Sequence, residues 1–553
     1  MFDPVQAVDD YLNLNTWETH ENSNKGYDLP SMMNHLSTIC LREYALTRIY
    51  PKHISQAYRD GFFHIHDLGV SISGYCVGYD ILDILLKGFY AKDRTSAGPA
   101  KHFSSWLSQL ANYFGTLQTE WAGAQALNSI DTISAPFIRV DNLSYSEIRQ
   151  YVQQFVFWLN IDTKGGESPF TNITLDMCPS KDYKDMPVVI GGEAHPELGT
   201  YSDYQPEMDL FNRALLDVMS EGDINGRVFT FPVITFNITE DFDWDSPFTD
   251  CMFEAMAKYG IGYIQNYIGS DLDPDQVRAF CCRLQLDISQ LINNTGGIFG
   301  SASKTGSIGV VTLSLPMLAA GAKDVEDYYN LLSKYCDLAS ESLELKRKVI
   351  NRTYRRGLLP YTEIYLPEGY KNHFSTIGVV GGHEACMNLL GKGIQTPEGC
   401  ELMQDTLEFI KDKALSYQKK TGHLYNCEAT PAESASYSLA LKFKDRFPEG
   451  YTSGEEVPFF TNSTNLPVDY TRDIWSMIRH QEKLAPRYNG GAVTHIFLGE
   501  RITKESAKKL VRTICYETKL NYFSITPTFS ICPIHGYISG DHEYCPICEK
   551  EGE

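Results

Sequence analysis

The sequence predicts a large α/β protein whose core is a sheet of many strands, either closed or doubly wound. From about residue 225, short β-branched runs alternate with helical stretches. Runs such as GSIGVVTLSL and STIGVVGG lack strict polar alternation, which is typical of strands buried on both faces. The chain has 553 residues, 43% of them apolar, so it can bury a core far larger than one ordinary domain needs.

Two helical regions follow from the spacing of apolar residues. Between about residues 26 and 130 the pattern is mostly helical, and Met32, Leu36 and Ile39 recur at intervals of three and four. A second helix, ELMQDTLEFIKDKALSYQKKTG, ends at Gly422, because glycine tolerates the left-handed conformation that closes many helices.

Charge and composition exclude several functions. The net charge of −22 argues against a surface that coats nucleic acid, since phosphate binding needs clustered Lys and Arg. No run of 18 apolar residues occurs, and the first residues lack the regions of a secretion signal, so we expect a cytoplasmic protein without a membrane span. Because no long linker interrupts the chain, we predict one domain over residues 1–525 and a small element over 526–553.

The cysteines are the first candidates for chemistry, because 14 thiols in a cytosolic chain are seldom a disulfide framework. Cys281 and Cys282 are adjacent in VRAFCCRLQLDIS. A loop that projects both sulfurs is the functional interpretation, and two small buried apolar residues are the structural one. Cys76, in SGYCVGY, adds a third thiol. One thiol could carry a radical while two others supply two electrons and close to a disulfide.

The motif EATPAES provides a candidate phosphate site at a helix start. Thr430 and Glu433 match a capping box, with Pro431 at the first helical position. Free N–H groups there suit a phosphate, although a merely well-capped helix is the alternative. The candidate substrate-binding residues of this turn are Thr430, Ala432, Glu433 and Ser434. Glu428 could exchange a proton with a sugar hydroxyl, or it could be an ordinary surface carboxylate.

The last residues contain two closely spaced pairs of metal-ligand residues. Cys532 and His535 form the first pair, and Cys545 and Cys548 form the second. This spacing matches the tetrahedral Cys₃His set of structural zinc, with His542 as a possible substitute ligand.

Together these residues resemble the anaerobic (class III) ribonucleoside-triphosphate reductases, which are glycyl radical enzymes. The resemblance spans nearly the whole chain, because many segments fall in the family's order: FFHIHDLG, GGESPFTNITLD, FTFPVITFNIT, FCCRL, GVVTLSLP, TIGVVGGHE, EATPAES, FFTNSTNLP, YNGGAVTHIFLGE, TPTFSIC and the zinc knuckles. It implies anaerobic reduction of ribonucleoside triphosphates to 2′-deoxyribonucleoside triphosphates.

The fold implied by the resemblance is a ten-stranded α/β barrel of two five-stranded halves, with a central finger loop, helical layers and a C-terminal zinc-binding element. Cys282, directly before Arg283, matches the thiyl cysteine of that loop. It would remove the 3′ hydrogen of the ribonucleotide, the 2′ hydroxyl would leave as water, and the 3′ hydrogen would return. The FFHIHDLG motif would contribute His64 and His66 to substrate binding.

The resemblance also bears on the reductant. Members that use formate have Met-Gly before the thiyl cysteine and lack Glu-Ala-Thr-Pro, whereas this chain has Cys281 and Glu428. A thioredoxin-like reductant is therefore implied, with Cys76 and Cys281 forming the disulfide, and formate is the alternative.

Further partners are implied by the family alone. They are a radical-SAM iron-sulfur activating enzyme, the nucleotide effectors ATP, dATP, dGTP and dTTP, and a second subunit in a homodimer or higher oligomer. We expect the effector site at the subunit junction, around Asn22 to Leu36. Members store the radical in an Arg-Val-x-Gly-Tyr element, so we expect the glycine downstream of Glu553; an upstream ATP-binding domain stays open. His535 departs from the cysteine usual at that zinc position.

Two rival interpretations remain at this point. Another glycyl radical enzyme, similar to pyruvate formate-lyase, would also carry adjacent cysteines, but the zinc knuckles and the TPAES turn argue against it. A non-catalytic zinc-binding scaffold would leave the cysteines passive.

Overall fold

The structure is a computed structural model that describes residues 3–13, 27–91, 95–163, 165–272, 277–279, 285–287, 304–430, 433–454, 456–468, 470–527, 529–532, 536–539 and 548. It describes only the backbone of residues 277–279, 285–287, 433, 529, 531–532 and 536–539.

The strands are β1 Phe63–Ile65, β2 Cys76–Tyr79, β3 Gln125–Leu127, β4 Thr171–Leu175, β5 Val189–Ile190, β6 Glu193–Ala194, β7 Val233–Ile238, β8 Tyr263–Asn266, β9 Val277–Ala279, β10 Gln285–Asp287, β11 Thr305–Ser314, β12 His373–Val380, β13 Tyr425–Glu428, β14 Thr494–Leu498, β15 Tyr522–Pro527, β16 Phe529–Cys532 and β17 Gly536–Ser539.

The α-helices are Pro4–Leu12, Leu29–Tyr44, Lys52–Arg59, Ile81–Lys87, Phe103–Leu117, Ile130–Val140, Tyr145–Leu159, Gln205–Glu221, Pro247–Tyr259, Leu315–Gly321, Val325–Arg355, Pro360–Tyr365, Gly382–Leu390, Pro397–Thr421, Glu433–Arg446, Ile474–Gln481 and Lys504–Glu517. Within the part of the chain that the structure describes, no helix combines the length and apolar character needed to cross a membrane.

One large, mostly parallel sheet organises the molecule, as the sequence predicted. Among the described residues its strands follow the path β13-β12-β11-β2-β3-β4-β7-β8-β15-β14, and β1 pairs with β11 beside this path. Strands β2, β3, β4, β7 and β8 are mutually parallel. They meet the remaining strands through antiparallel pairs, β2 with β11 and β8 with β15. The sheet thus consists of two parallel groups that run in opposite directions.

The two faces of the sheet differ in character. On β4, Ile173 and Leu175 join the main hydrophobic core under the helices, so the alternate residues Asn172 and Thr174 lie on the opposite face. We call the helix-covered face the outer face and the polar face the inner face. Both are shielded along β11 and β12, where every residue is buried, which confirms the prediction from the unalternating runs.

Of the two predicted helical regions, residues 26–130 are only partly helical, because they also contain β1, β2 and β3. The other helix is present and begins at Pro397, before the predicted start at Glu401. Pro397–Thr421 ends at Gly422, whose φ of 74° is left-handed, as predicted. Leu29–Tyr44 contains the predicted spacing, yet Ser31 is its buried residue and Met33 is exposed. Its apolar residues therefore contribute little to the core of this subunit.

Candidate active site

Cys76 lies on the inner face at the junction of the two strand groups. It is the first residue of β2 and pairs with Ser307 of β11. Its side chain is buried with Ala124, Ala126 and Phe374 in a small cluster separate from the main core. The predicted redox thiol is therefore shielded from solvent, as radical chemistry requires.

Strand β1 brings His64 and His66 to the same region, because His64 pairs with Thr312 of β11. The two imidazole rings meet edge to face, with centroids 4.8 Å apart. Burial lowers the pKa of His66 to about 4, and the positive charge of Lys346 contributes. Burial, His66 and Lys442 together hold the pKa of His64 well below its usual range. Both rings are therefore neutral at pH 7 and act as hydrogen-bonding groups.

A chain of hydrogen bonds joins these histidines to the EATPAES turn. His66 Nε2 lies 2.8 Å from Thr312 Oγ1, which lies 2.6 Å from Thr430 Oγ1. Gly378 of β12 makes this approach possible, since a Cβ there would lie 2.4 Å from Thr430 Oγ1. The Thr430 hydroxyl is thus held in a fixed position on the inner face.

Glu428 is the last residue of β13 and pairs with Gly378. Tyr425 and Cys427 of the same strand pack in the main core, so Asn426 and Glu428 alternate to the inner face. Glu428 is only 4% exposed, so the alternative of an ordinary surface carboxylate is wrong. A buried carboxyl group beside a fixed hydroxyl can exchange a proton with a bound molecule.

The helix Glu433–Arg446 follows this turn, and Pro431, the predicted first helical residue, lies outside the described residues. The Thr430 hydroxyl bonds to Thr312, an interaction that the capping box did not anticipate. Ser434 is exposed in the first helical turn, whereas Ala432 and the side chain of Glu433 lie outside the described residues.

Three buried amides on the inner face were not predicted. They are Asn172 of β4, Gln265 of β8 and Asn426 of β13. Both polar atoms of each side chain lack a hydrogen-bond partner in the part of the chain that the structure describes. Buried amides are normally hydrogen-bonded, so three unpaired ones on one face indicate a place for a polar ligand.

Lys346, in the helix Val325–Arg355, was also not predicted as a site residue from the sequence. It is 2% exposed, and burial lowers the pKa of its amine to about 8, while Asp67 and Cys76 act in the opposite direction. The sequence does contain a signal, because Lys346 falls between Leu343 and Ile350 on the apolar face of the helix, where a charge is unexpected.

The inner face of the sheet thus carries a thiol, a carboxyl group, neutral imidazoles and unpaired amides. The model of the anaerobic ribonucleoside-triphosphate reductase family matches residues 21–553 of the chain. The chain belongs to this family. The reductase is therefore an oxidoreductase that reduces ribonucleotides, which confirms the predicted function.

Known relatives of the reductase are distant in sequence. The anaerobic ribonucleoside-triphosphate reductase of Haemophilus influenzae is 21% identical over 86% of this chain and 70% of that protein. That of Escherichia coli K12 is 22% identical over 86% of this chain and 69% of that protein. The anaerobic ribonucleotide reductase of Thermotoga maritima, solved in complex with dATP and CTP, superposes with a TM-score of 0.78 at 22% identity. The match covers 99% of this chain and 90% of that one, so the two share a fold.

Some predicted site residues of the reductase cannot be placed. Cys281, Cys282, His535 and Cys545 lie outside the described residues. Cys532 ends β16, where it pairs with Gly536 of β17 in an antiparallel hairpin. Among the described residues no three potential ligands form a metal-binding group, and zinc stays a prediction. The hairpin nevertheless fits it, because the Cys532–His535 pair begins at the last paired residue of β16.

Proposed function

We propose that the reductase acts on ribonucleoside triphosphates by thiyl-radical chemistry in the space enclosed by the inner face, here called the chamber. One observation carries the proposal. Cys76, Glu428 and the hydrogen-bonded chain His66–Thr312–Thr430 lie on neighbouring strands, on the inner face of the sheet.

The three cysteines divide the reaction between them. Cys282, holding a radical passed to it from a glycyl radical, removes the 3′ hydrogen of the ribose. The 2′ hydroxyl then takes a proton and leaves as water. Cys76 and Cys281 supply two electrons and two protons, one for the departing water and one for C2′, where a C–H bond replaces the C–O bond, and they become a disulfide. Cys282 then returns the 3′ hydrogen. Glu428 takes and returns the proton of the 3′ hydroxyl, a role supported by its burial.

The substrate is held by two groups of residues. The triphosphate meets the start of the helix Glu433–Arg446, near Thr430, Ala432 and Ser434, because the first N–H groups of a helix attract anions. His64, His66 and the unpaired amides of Asn172, Gln265 and Asn426 supply hydrogen bonds to the ribose and base. Neutral imidazoles suit sugar hydroxyls, since they can both donate and accept.

The sheet closes into a ten-stranded barrel around the chamber. Two main-chain hydrogen bonds between its end segments support this. Gly490 N donates to Cys427 O at 2.7 Å, and Ala429 N donates to Gly491 O at 2.9 Å. Closure at this seam would shield the radical from solvent beside Glu428.

A structural zinc ion, held by Cys532, His535, Cys545 and Cys548, would fix the C-terminal element. The β16–β17 hairpin supports this arrangement, because Cys532 is its last paired residue before the segment that contains His535. The same element would form the base from which the glycyl radical segment enters the barrel.

The remaining partners follow from the family. A thioredoxin-like dithiol protein reduces the Cys76–Cys281 disulfide, and a radical-SAM enzyme installs the glycyl radical. ATP, dATP, dGTP and dTTP bind as effectors at a homodimer junction around Asn22 to Leu36, a range that includes the start of the helix Leu29–Tyr44. The exposed Leu29 and Met33 of that helix support the dimer, because a partner subunit would cover them.

Single-turnover kinetics in the full-length, radical-loaded protein test these roles. Cys282→Ser should abolish isotope exchange at the 3′ carbon, whereas Cys76→Ser and Cys281→Ser should allow hydrogen abstraction and then stall. Cys427→Ala is the matched control, since this buried thiol faces the outer core, and it should turn over normally. If Cys281→Ser sustains multiple turnovers with formate, the dithiol assignment is wrong.

A further inference from the structure

A gap in the sheet separates Cys76 from the histidines. On the edge of β11 that faces β2 and β1, Tyr75 N donates to Ser307 O at 3.0 Å. The next bond along this edge, from His66 N to Val310 O at 3.1 Å, comes three residues later. The pairing of β11 with β12 also shifts between Ser307 and Gly309, so the backbone is irregular at the same point.

Lys346 occupies this gap. A Cβ on Gly309 would lie 2.8 Å from Lys346 Cδ and 3.1 Å from its Nζ, so the end of the lysine runs directly across the glycine. Its charge interacts with Asp67 and Cys76, and it disfavours protonation of His66. Lys346 therefore reaches from an outer helix to the level of the chamber.

The surroundings of this amine only partly offset the cost of burying its charge. Among the described residues it forms no hydrogen bond and no ion pair. A buried ammonium without a hydrogen bond or ion pair is costly even where the charge of Asp67 favours it, and an apolar side chain would fill this helix position at lower free energy. Nevertheless, with a pKa of about 8 the amine is mostly protonated at pH 7. Such a charge is expected to serve a group that becomes negative in the chamber.

The position along β11 indicates which group that is. Cys76 pairs with Ser307, which lies two residues before Gly309 on β11. Thr312, whose hydroxyl bonds to Thr430, lies three residues after Gly309. At a rise of about 3.3 Å per residue these offsets are roughly 7 and 10 Å. Lys346 thus lies closer to the thiol than to the proposed phosphate turn.

We propose that Lys346 is a positioning residue for Cys76, and that its ammonium group stabilises the sulfur when it is negatively charged. The inference rests on the proposed dithiol chemistry. When the reductant's thiolate attacks Cys281 in the disulfide, the S–S bond breaks and Cys76 leaves as a thiolate beside Lys346. The reductant's second thiol then breaks the mixed disulfide, and the two protons of the reductant end on Cys76 and Cys281. Both electrons come from the dithiol.

The reactivity of Cys76 in the reduced protein tests this. Methyl methanethiosulfonate is small and uncharged, and modification of Cys76 and of the exposed Cys40 is followed by peptide mass spectrometry. Lys346→Met should slow the modification of Cys76 roughly tenfold, because the thiolate reacts, the thiol does not, and the variant lacks the positive charge that stabilises the thiolate. Cys40 should react at an unchanged rate.

Two further variants separate charge from structure. Gly309→Ala keeps the lysine but pushes it from the gap, so it should also slow Cys76, though less than Lys346→Met. Lys413→Met is the matched control, because it removes a lysine that pairs with Asp337 on the outer helices, and Cys76 should react as before. A merely structural disturbance would expose Cys76 and speed the reaction, which is the opposite sign. The proposal would be overturned if Cys76 of Lys346→Met reacts as fast as Cys76 of the wild-type protein, or faster. It would also be overturned if Cys76 reacts in neither protein.

A second measurement distinguishes this inference from the proposed function. The wild-type protein is oxidised with diamide, and reduction of the Cys76–Cys281 disulfide by dithiothreitol is timed. Lys346→Met should slow this reduction roughly tenfold as well. If the wild-type protein forms no such disulfide, the dithiol function is wrong, while the modification rates still decide the role of Lys346.

Discussion

Replacing Gly378 by alanine directly tests the packing beneath the Thr430 hydroxyl. Gly378 pairs with Thr312 on one side and Glu428 on the other. A Cβ there would lie 2.4 Å from Thr430 Oγ1 and 2.8 Å from Thr312 Oγ1, and both distances are too short. Neither side chain can retreat without disturbing the 2.6 Å hydrogen bond that joins the two hydroxyls.

The expected magnitude follows from these contacts. Adding a methyl group to a filled interior costs about 1–3 kcal/mol in the free energy of unfolding. The two hydrogen bonds of the His66–Thr312–Thr430 chain are worth about 1 kcal/mol each. If the substrate uses the oriented Thr430 hydroxyl, a loss of about 2 kcal/mol weakens nucleotide affinity roughly 30-fold.

Calorimetric titration with CTP measures this effect in Gly378→Ala, Thr430→Ala and the double variant. In the Thr430→Ala background the glycine replacement should cost little further affinity, because neighbouring sites that act through one group are not additive. Gly98→Ala is the control, since a Cβ there meets no atom within 4 Å. Unchanged CTP affinity in Gly378→Ala would show that the hydroxyl chain is not part of the substrate site.

Three further predictions concern charge and metal. Lys346→Met should raise the pKa of His66 from about 4 toward its ordinary value, which NMR titration of the ring protons measures; an unchanged value would contradict the electrostatic contact. The free energy of unfolding should fall as the pH drops from about 6.5 toward 4. Burial lowers the pKa of His66 to about 4 and that of His373 to about 3, so both stay neutral while the unfolded chain binds protons. Urea unfolding at several pH values measures whether the free energy of unfolding falls or rises as the pH drops. Replacing both Cys545 and Cys548 by serine should remove the bound zinc found by metal analysis, and full occupancy would refute the ligand assignment.

Local patterns were sufficient for much of the fold. The helix Pro397–Thr421 begins with Thr396 as N-cap, whose side chain accepts from Gly399 N, and it ends at Gly422. Buried strands such as β11 and β12 were evident from their unbroken apolar and β-branched runs. In each case the signal lies within a few neighbouring residues, so it can be found without knowing what the segment packs against.

The site was less accessible to such reasoning, because its contacts join distant parts of the chain. His66 and Thr312 are 246 residues apart, and Thr312 and Thr430 are 118 apart. Thr430 was selected as a helix cap, yet its hydroxyl bonds across the sheet to β11. The residue was chosen as a candidate, but its contact depends on strand order, which periodicity cannot supply.

The features that were missed share a physical origin, because each breaks a local rule for the sake of the chamber. A lysine on the apolar face of a helix, as at Lys346, is unfavourable unless something beyond the helix requires its charge. Glycine inside a strand, as at Gly309 and Gly378, weakens the strand unless another group needs the space. The glycine at 309 and the lysine at 346 are related, because the end of the Lys346 side chain fills the space that a side chain at position 309 would occupy. Local conflicts that resolve only in three dimensions are expected where a protein gives up stability for function.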